Sequence, residues 1–278
     1  MCRWLAYWGS PVRLTEVLYT PVHSLIDQSL HSKLGAETTN GDGFGVGWYS
    51  EANDLPGVFR STEPAWNDTN LRELSAHVTS PLFFAHIRAA IGSSVQQTNC
   101  HPFRYQRWLW MHNGFIDGFR DIKRSLAFAV DPTLYLDIGG TTDSELLFHL
   151  ALTFGLEDDP PGAVARAIGF VEERGREAGH EFPFQGTIAT SDGDSLWAFR
   201  YSSAGKSRSL YFNRSVPQLR EMYPDMPVLE KVADDARLVV SEPIGDLPGA
   251  WVEVPEASYG VVSKGREELL PFAPSAPA

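Results

Sequence analysis

The chain has only two cysteines, Cys2 and Cys100, among 278 residues. Two thiols make no disulfide framework. No charged n-region, apolar core or cleavage box precedes Cys2, so a secretory signal is absent and a reducing, cytoplasmic setting is expected. No run of eighteen apolar residues exists to span a membrane. A formal charge of −12 with no basic stripe excludes nucleic acid as a partner, because no surface neutralises phosphates. The motifs G-x-S-x-G, G-x-x-x-x-G-K-[ST], H-E-x-x-H and paired C-x-x-C are all missing. Of the eight histidines, His86, His101 and His112 lie nearest the aromatic strands without metal-ligand spacing. They read as satisfied core residues, and neither metal nor cofactor is expected. With no internal repeat and no linker, residues 2–270 are expected to form one domain and 271–278, rich in Pro, Ala and Ser, a disordered tail.

What is present suits a large packed core: 43% hydrophobic residues, with eight Trp, nine Tyr and sixteen Phe. Strands are expected at Cys2–Trp8, Pro81–Arg88 and Trp108–His112. Ser10-Pro11 reads as a helix start and Val22–Leu30 as a short helix. From Gly41 to Gly47 every second residue is glycine, which places all four on one strand face while Phe44, Val46 and Trp48 take the other. Such a face means that something approaches the backbone closely, either a ligand or a crowded sheet contact. Asn113-Gly114 carries a hairpin-turn signal. Helices are expected at Asn67–Val78, Phe119–Val130 and Pro161–Ala178, and one opens at the capping box Thr142-Asp143-Ser144-Glu145 with an apolar stripe behind it. Six strands follow from Gly186 onward, the first two joined by a turn at Asp192-Gly193-Asp194. Strands, a helical middle and strands again give two sheets with helices outside, an α+β fold.

Cys2 is either a small residue opening a buried strand or a nucleophile. If Met1 is removed, its free α-amine can take the thiol proton, so nucleophile and base arrive on one residue. Cys100, without a helix N-terminus, reads as a structural thiol. The segments Met1-Cys2-Arg3, Asn40 to Gly47, Ala85 to Gly92, Cys100-His101-Pro102-Phe103, His112-Asn113-Gly114 and Thr142 to Glu145 occur in this order. Together they resemble a class II (N-terminal-nucleophile) glutamine amidotransferase domain. The likeness is to the stand-alone branch that holds YafJ-like proteins and the γ-glutamyl hydrolase of ergothioneine biosynthesis. Gly186 to Gly193 and Val239 to Pro243 fit that branch too.

The resemblance implies the four-layer αββα sandwich of N-terminal nucleophile hydrolases. It also implies roles. Cys2 would attack a γ-carbonyl, Asn113 and the Gly114 N–H would form the oxyanion hole, Arg88 would hold the substrate α-carboxylate and Asp143 its ammonium. A γ-glutamyl thioester would follow, then water. The synthase-linked members continue after this arginine with Trp-Ala-Thr-His-Gly, whereas Arg88 precedes Ala89-Ala90-Ile91-Gly92. No synthase domain is expected, so the expectation is an amidohydrolase that cleaves the γ-amide of glutamine or of another small γ-glutamyl compound. A glutaminase subunit serving a separate synthase, a homodimer and a silent binding module on the same fold are the alternatives. Specificity beyond the γ-carbonyl is expected in loops Gly92–Asn99 and Ala204–Arg208.

Overall fold

The structure, a computed structural model, describes residues 2–31, 33, 39–90, 93–226 and 229–277. Met1, and Ile91 and Gly92 of the expected loop and motif, lie outside the described residues. The chain runs β1 (Arg3–Arg13), α1 (Leu14–Leu18), α2 (Leu25–Leu30), β2 (Phe44–Ser50), β3 (Asn53–Ser61), α3 (Thr69–His77), β4 (Thr79–Ile87), β5 (Phe103–Tyr105) and β6 (Trp108–Ile116). It continues through α4 (Phe119–Ala129), α5 (Asp143–Thr153), α6 (Pro160–Glu177), β7 (Phe184–Ser191), β8 (Leu196–Ser202) and β9 (Tyr211–Asn213). The last elements are α7 (Val216–Met222), β10 (Arg237–Val240), β11 (Trp251–Glu253), β12 (Ser258–Ser263) and β13 (Arg266–Pro271). One sheet has the order β11-β9-β10-β1-β4-β2-β3 and the other β13-β12-β8-β7-β6-β5.

Strand alternation builds the layers. On β1, Leu5 and Tyr7 face α1–α3, while Trp4 and Ala6 face the other sheet. On β4, Phe83 and Ala85 face out and Leu82 and Phe84 face in. On β6, Trp108 and Trp110 pack under α4–α6, while Leu109 and Met111 face in. Three interleaved cores follow, and the order of layers is the expected αββα sandwich.

Several local expectations need correction. Ser10-Pro11 opens no helix. It lies in β1, where the pairing with β4 slips between Trp8 and Val12, and Pro11 needs no donor there. Ser10 N–H and Oγ bond Asp235 Oδ1 at 3.2 and 3.1 Å. Asn113-Gly114 is not a turn. β6 passes straight through it, paired with Thr187 and Gly186, and the chain turns at Gly118 with φ +63°. α5 is buried on all sides from Ser144 to Leu152, since α4, α6 and the sheet enclose it. Beyond Pro271, Phe272 enters the helical core and Ser275 N–H donates to Ala165 O at 3.2 Å. The glycine face of β2 meets a crowded backbone. A methyl at Gly45 would lie 2.1 Å from His101 O, and one at Gly47 2.7 Å from Pro102 Cγ.

Candidate active site

The inward frame of β1, set by Trp4 and Ala6, carries back to Cys2, and that of β6, set by Leu109 and Met111, carries on to Asn113. The two residues therefore converge from opposite sheets. Asn113 Nδ2 donates to Cys2 O at 2.9 Å. One amide hydrogen of Asn113 is left over. The half-buried Cys2 Sγ lies 3.4 Å from Ala89 N, which donates to it, and 3.6 Å from Ala89 O. Burial pushes this thiol above its ordinary value, and the Ala89 N–H pulls the other way.

Arg88 follows β4 and is 3% exposed. Its Nη2 donates to Ser93 Oγ at 2.7 Å and Ser94 O at 3.0 Å, and Nη1 donates to Asp42 O at 3.3 Å. Among the described residues no carboxylate ion-pairs with it. Two of the five guanidinium donors remain. Asp42 also accepts from Ala90 N–H at 2.7 Å, which fixes the peptide group whose carbonyl faces Cys2 Sγ.

Asp143 is the first residue of α5. Its Oδ2 accepts from Ile116 N–H at 2.9 Å and its Oδ1 from Ser144 N–H at 2.8 Å. Ser144 Oγ in turn lies 2.8 Å from His112 Nδ1. Backbone N–H groups alternate between strand edges, so Gly114 N–H points to the same edge as Ile116 N–H, the edge away from β7. A methyl at Gly114 would fall 2.0 Å from Gln185 O and 2.5 Å from His112 Nε2, which is why glycine stands there. The capping box is half formed. Thr142 Oγ1 accepts from Glu145 N–H at 3.2 Å, but the Glu145 carboxylate takes Gly139 and Gly140 N–H at 3.0 and 2.7 Å. Among the described residues neither Arg88 nor Asp143 hydrogen-bonds Cys2; Arg88 is next to Ala89, which touches Cys2 Sγ, and Asp143 holds Ile116 on the strand that carries Asn113.

Sequence reasoning missed the support under Cys2. Arg3 Nη1 donates to Cys2 O at 3.0 Å while Arg3 Nε bonds Glu242 Oε2 at 2.8 Å. Glu242 Oε1 lies 2.7 Å from His23 Nε2 and accepts from Lys33 N–H at 2.8 Å. The signal was available, because Arg3 and Glu242 both fall in the segments that resembled the family. The histidine reading needs correction as well. All three are buried, but among the described residues neither His86 nor His101 has a hydrogen-bond partner on a ring nitrogen, and their rings lie tilted with centroids 4.2 Å apart. Burial holds them neutral, with His86 down at about 3. Cys100 is buried as expected, its Sγ 3.4 Å from Ser61 O. Among the described residues no helix is long and apolar enough to cross a membrane, and no His, Cys, Asp and Glu group is placed to hold a metal.

Two sheets under helical layers, meeting at a cysteine and an asparagine, define a class. The sequence profile of the class-II glutamine amidotransferases matches residues 17–269, and the chain belongs to that family. It is 34% identical over 302 residues to the probable glutamine amidotransferase DUG3 of Saccharomyces cerevisiae, covering 98% of this chain and 84% of that one. It is 27% identical to the γ-glutamyl-hercynylcysteine sulfoxide hydrolase of Mycolicibacterium smegmatis, over 92% of this chain and 93% of the relative. A solved glutamine aminotransferase class-II domain protein from Silicibacter pomeroyi superposes with a TM-score of 0.75 at 33% identity, over 98% and 99% of the two chains.

Proposed function

We propose that the protein hydrolyses the γ-amide of a γ-glutamyl compound with Cys2 as nucleophile. The observation that carries this reading is the meeting of Cys2 and Asn113, at 2.9 Å, beside a buried arginine that no described carboxylate neutralises. Removal of Met1 leaves the Cys2 α-amine free, and it takes the thiol proton as Sγ attacks the γ-carbonyl carbon. The spare Asn113 amide hydrogen and Gly114 N–H receive the oxyanion. Arg88 takes the substrate α-carboxylate on its two remaining donors, and Asp143 takes the α-ammonium. The C–N bond then breaks and the leaving amine picks up the proton. A γ-glutamyl thioester remains on Sγ; water attacks it, releasing glutamate and restoring the thiol.

The reading is supported by family membership and by a relative whose name states γ-glutamyl hydrolysis. Its test is intact mass together with hydrolysis of γ-glutamyl-p-nitroanilide. Met1 is expected to be absent, and Cys2→Ala to abolish turnover. Asn113→Ala should lower kcat about 100-fold, the typical effect of one lost oxyanion donor. Turnover by Cys2→Ala equal to wild type would overturn the proposal.

A further inference from the structure

Arg208 sits on the β8–β9 connection and is half-buried. That connection is tied down on both sides of it. Gln185 Nε2 donates to Lys206 O at 2.6 Å, and Gln185 adjoins Gly186, the ladder partner of Gly114. On the other side Ser209 Oγ donates to Ser241 O at 2.9 Å, and Ser241 N–H donates to Trp4 O at 3.0 Å. The connection that carries Arg208 is thus tied to β7, the neighbour of the Asn113-Gly114 strand, and to Ser241, which bonds the start of β1. Its charge is felt at Arg3 and Cys2.

The guanidinium of Arg208 makes no hydrogen bond or ion pair with any described residue. The carboxylate that reaches this connection, Glu256, accepts through Oε2 from Ser207 N–H and Oγ at 2.9 and 2.6 Å and faces Arg200 at 3.7 Å. A half-buried guanidinium has lost hydration without gaining a partner, which costs free energy unless a ligand supplies the anion. Of the three arginines whose charge is felt at Cys2, Arg3 is neutralised by Glu242, whereas Arg88 and Arg208 meet no carboxylate among the described residues. Glutamine brings one carboxylate, and under the proposed function Arg88 uses it. A second anion is called for on the other side of the scissile bond.

We infer that Arg208 binds a carboxylate on the leaving amine, so that the substrates are γ-glutamyl amino acids and peptides rather than glutamine. This rests on the proposed role of Cys2. Water supplies hydroxyl to the glutamyl group and a proton to the amine, so the products are glutamate and an α-amino acid or peptide. In an α-amino acid the carboxylate carbon lies two bonds from the nitrogen that leaves; in a dipeptide it lies five bonds away. Arg208 selects the leaving group; it takes no part in breaking the bond.

The test is the ratio of kcat/KM for γ-glutamyl-glycine over γ-glutamyl-glycinamide, which differ in one charge. Wild type should favour the carboxylate. The ratio should fall about 10- to 100-fold in Arg208→Gln, as for a lost charge-assisted bond, and less in Arg208→Lys, which keeps the charge without the planar fork. Because the preference is ionic, the wild-type ratio should also fall as sodium chloride rises, which serves should Arg208→Gln melt early. A wild-type ratio at or below one, or one unmoved by both substitution and salt, overturns the inference while leaving the nucleophile standing. Wild type hydrolysing neither compound, like Cys2→Ala, overturns the nucleophile and this inference with it.

Discussion

Removing the Glu242 carboxylate tests how much the buried support under Cys2 matters. The Arg3–Glu242 pair has side chains 5% and 2% exposed, so neither charge is rehydrated when the other is deleted. Glu242→Ala strands the Arg3 guanidinium and leaves His23 Nε2 and Lys33 N–H without their acceptor. Breaking a buried pair from one side costs about 3–5 kcal/mol. For 278 residues the unfolding entropy is about 0.6 kcal/mol per kelvin, so Tm should fall by about 5–8 °C. Glu242→Gln keeps the shape but must point amide hydrogens at one of its donors, and should cost about half as much. The comparison is Arg237–Glu267, shorter still at 2.6 Å but with Glu267 46% exposed. Glu267→Ala should cost less than about 1 kcal/mol, a shift under about 2 °C. Scanning calorimetry on the three variants decides. Equal shifts for Glu242→Ala and Glu267→Ala would refute the argument that burial, not distance, sets the energy.

Gly45→Ala drives a methyl against the His101 carbonyl, a backbone atom that cannot rotate away, and should destabilise by about 1–3 kcal/mol. Gly260→Ala, whose methyl would lie 3.7 Å from the nearest atom, should melt within about 1 °C of wild type; equal losses at both sites would contradict the close-approach account. His86 concerns acid stability. Its value of about 3 lies below the roughly 6.5 of an unfolded chain, so the unfolded state binds the proton better. Its contribution is complete above about pH 6.5 and is lost as pH falls toward about 3, by about 1.4 kcal/mol per pH unit. His86→Phe keeps the ring and removes the proton site, so its urea midpoint should decline less steeply than wild type between pH 6 and 4. Parallel declines would count against it.

The sequence made legible what is periodic or chemically marked. Strands with inward and outward sets, such as the one ending at Ile87, and helices such as α4 and α6 were found within a few residues. Two of the edge strands were not read. β3 carries Pro56 and β13 is largely charged, because each lies at a sheet edge where one side of the backbone is unpaired. Asn113-Gly114 misled as a turn because its local signal is real, yet eight residues of ladder pairing with β7 override it. The five proposed site residues were legible as motifs. Glu242 and Asp42 lay in family-like segments and Arg208 in an expected specificity loop, but their contacts were not legible, since only the fold brings Glu242 to Arg3, Asp42 to Ala90 and Arg208 toward Cys2.

The remaining question is what fixes the distance between the two sheets' contributions. Apolar contact between sheets is not directional and would let one slide on the other. Three hydrogen bonds prevent that, and all of them end on β7 or the turn that follows it. Trp4 Nε1 donates to Thr187 Oγ1 at 3.0 Å, Tyr49 Oη to Ser191 O at 2.9 Å and Trp8 Nε1 to Asp194 O at 3.0 Å. Thr187 is the ladder partner of Asn113, and Trp4 shares its face of β1 with Cys2. The Trp4–Thr187 bond therefore links the nucleophile's strand to the asparagine's strand within two residues of both. A buried indole N–H with no partner would cost about 1–3 kcal/mol, so the register that satisfies it is the one adopted. The aromatic richness of the sequence has a positional use here: the rings fill the space between the sheets, and their polar ends set where Cys2 meets Asn113.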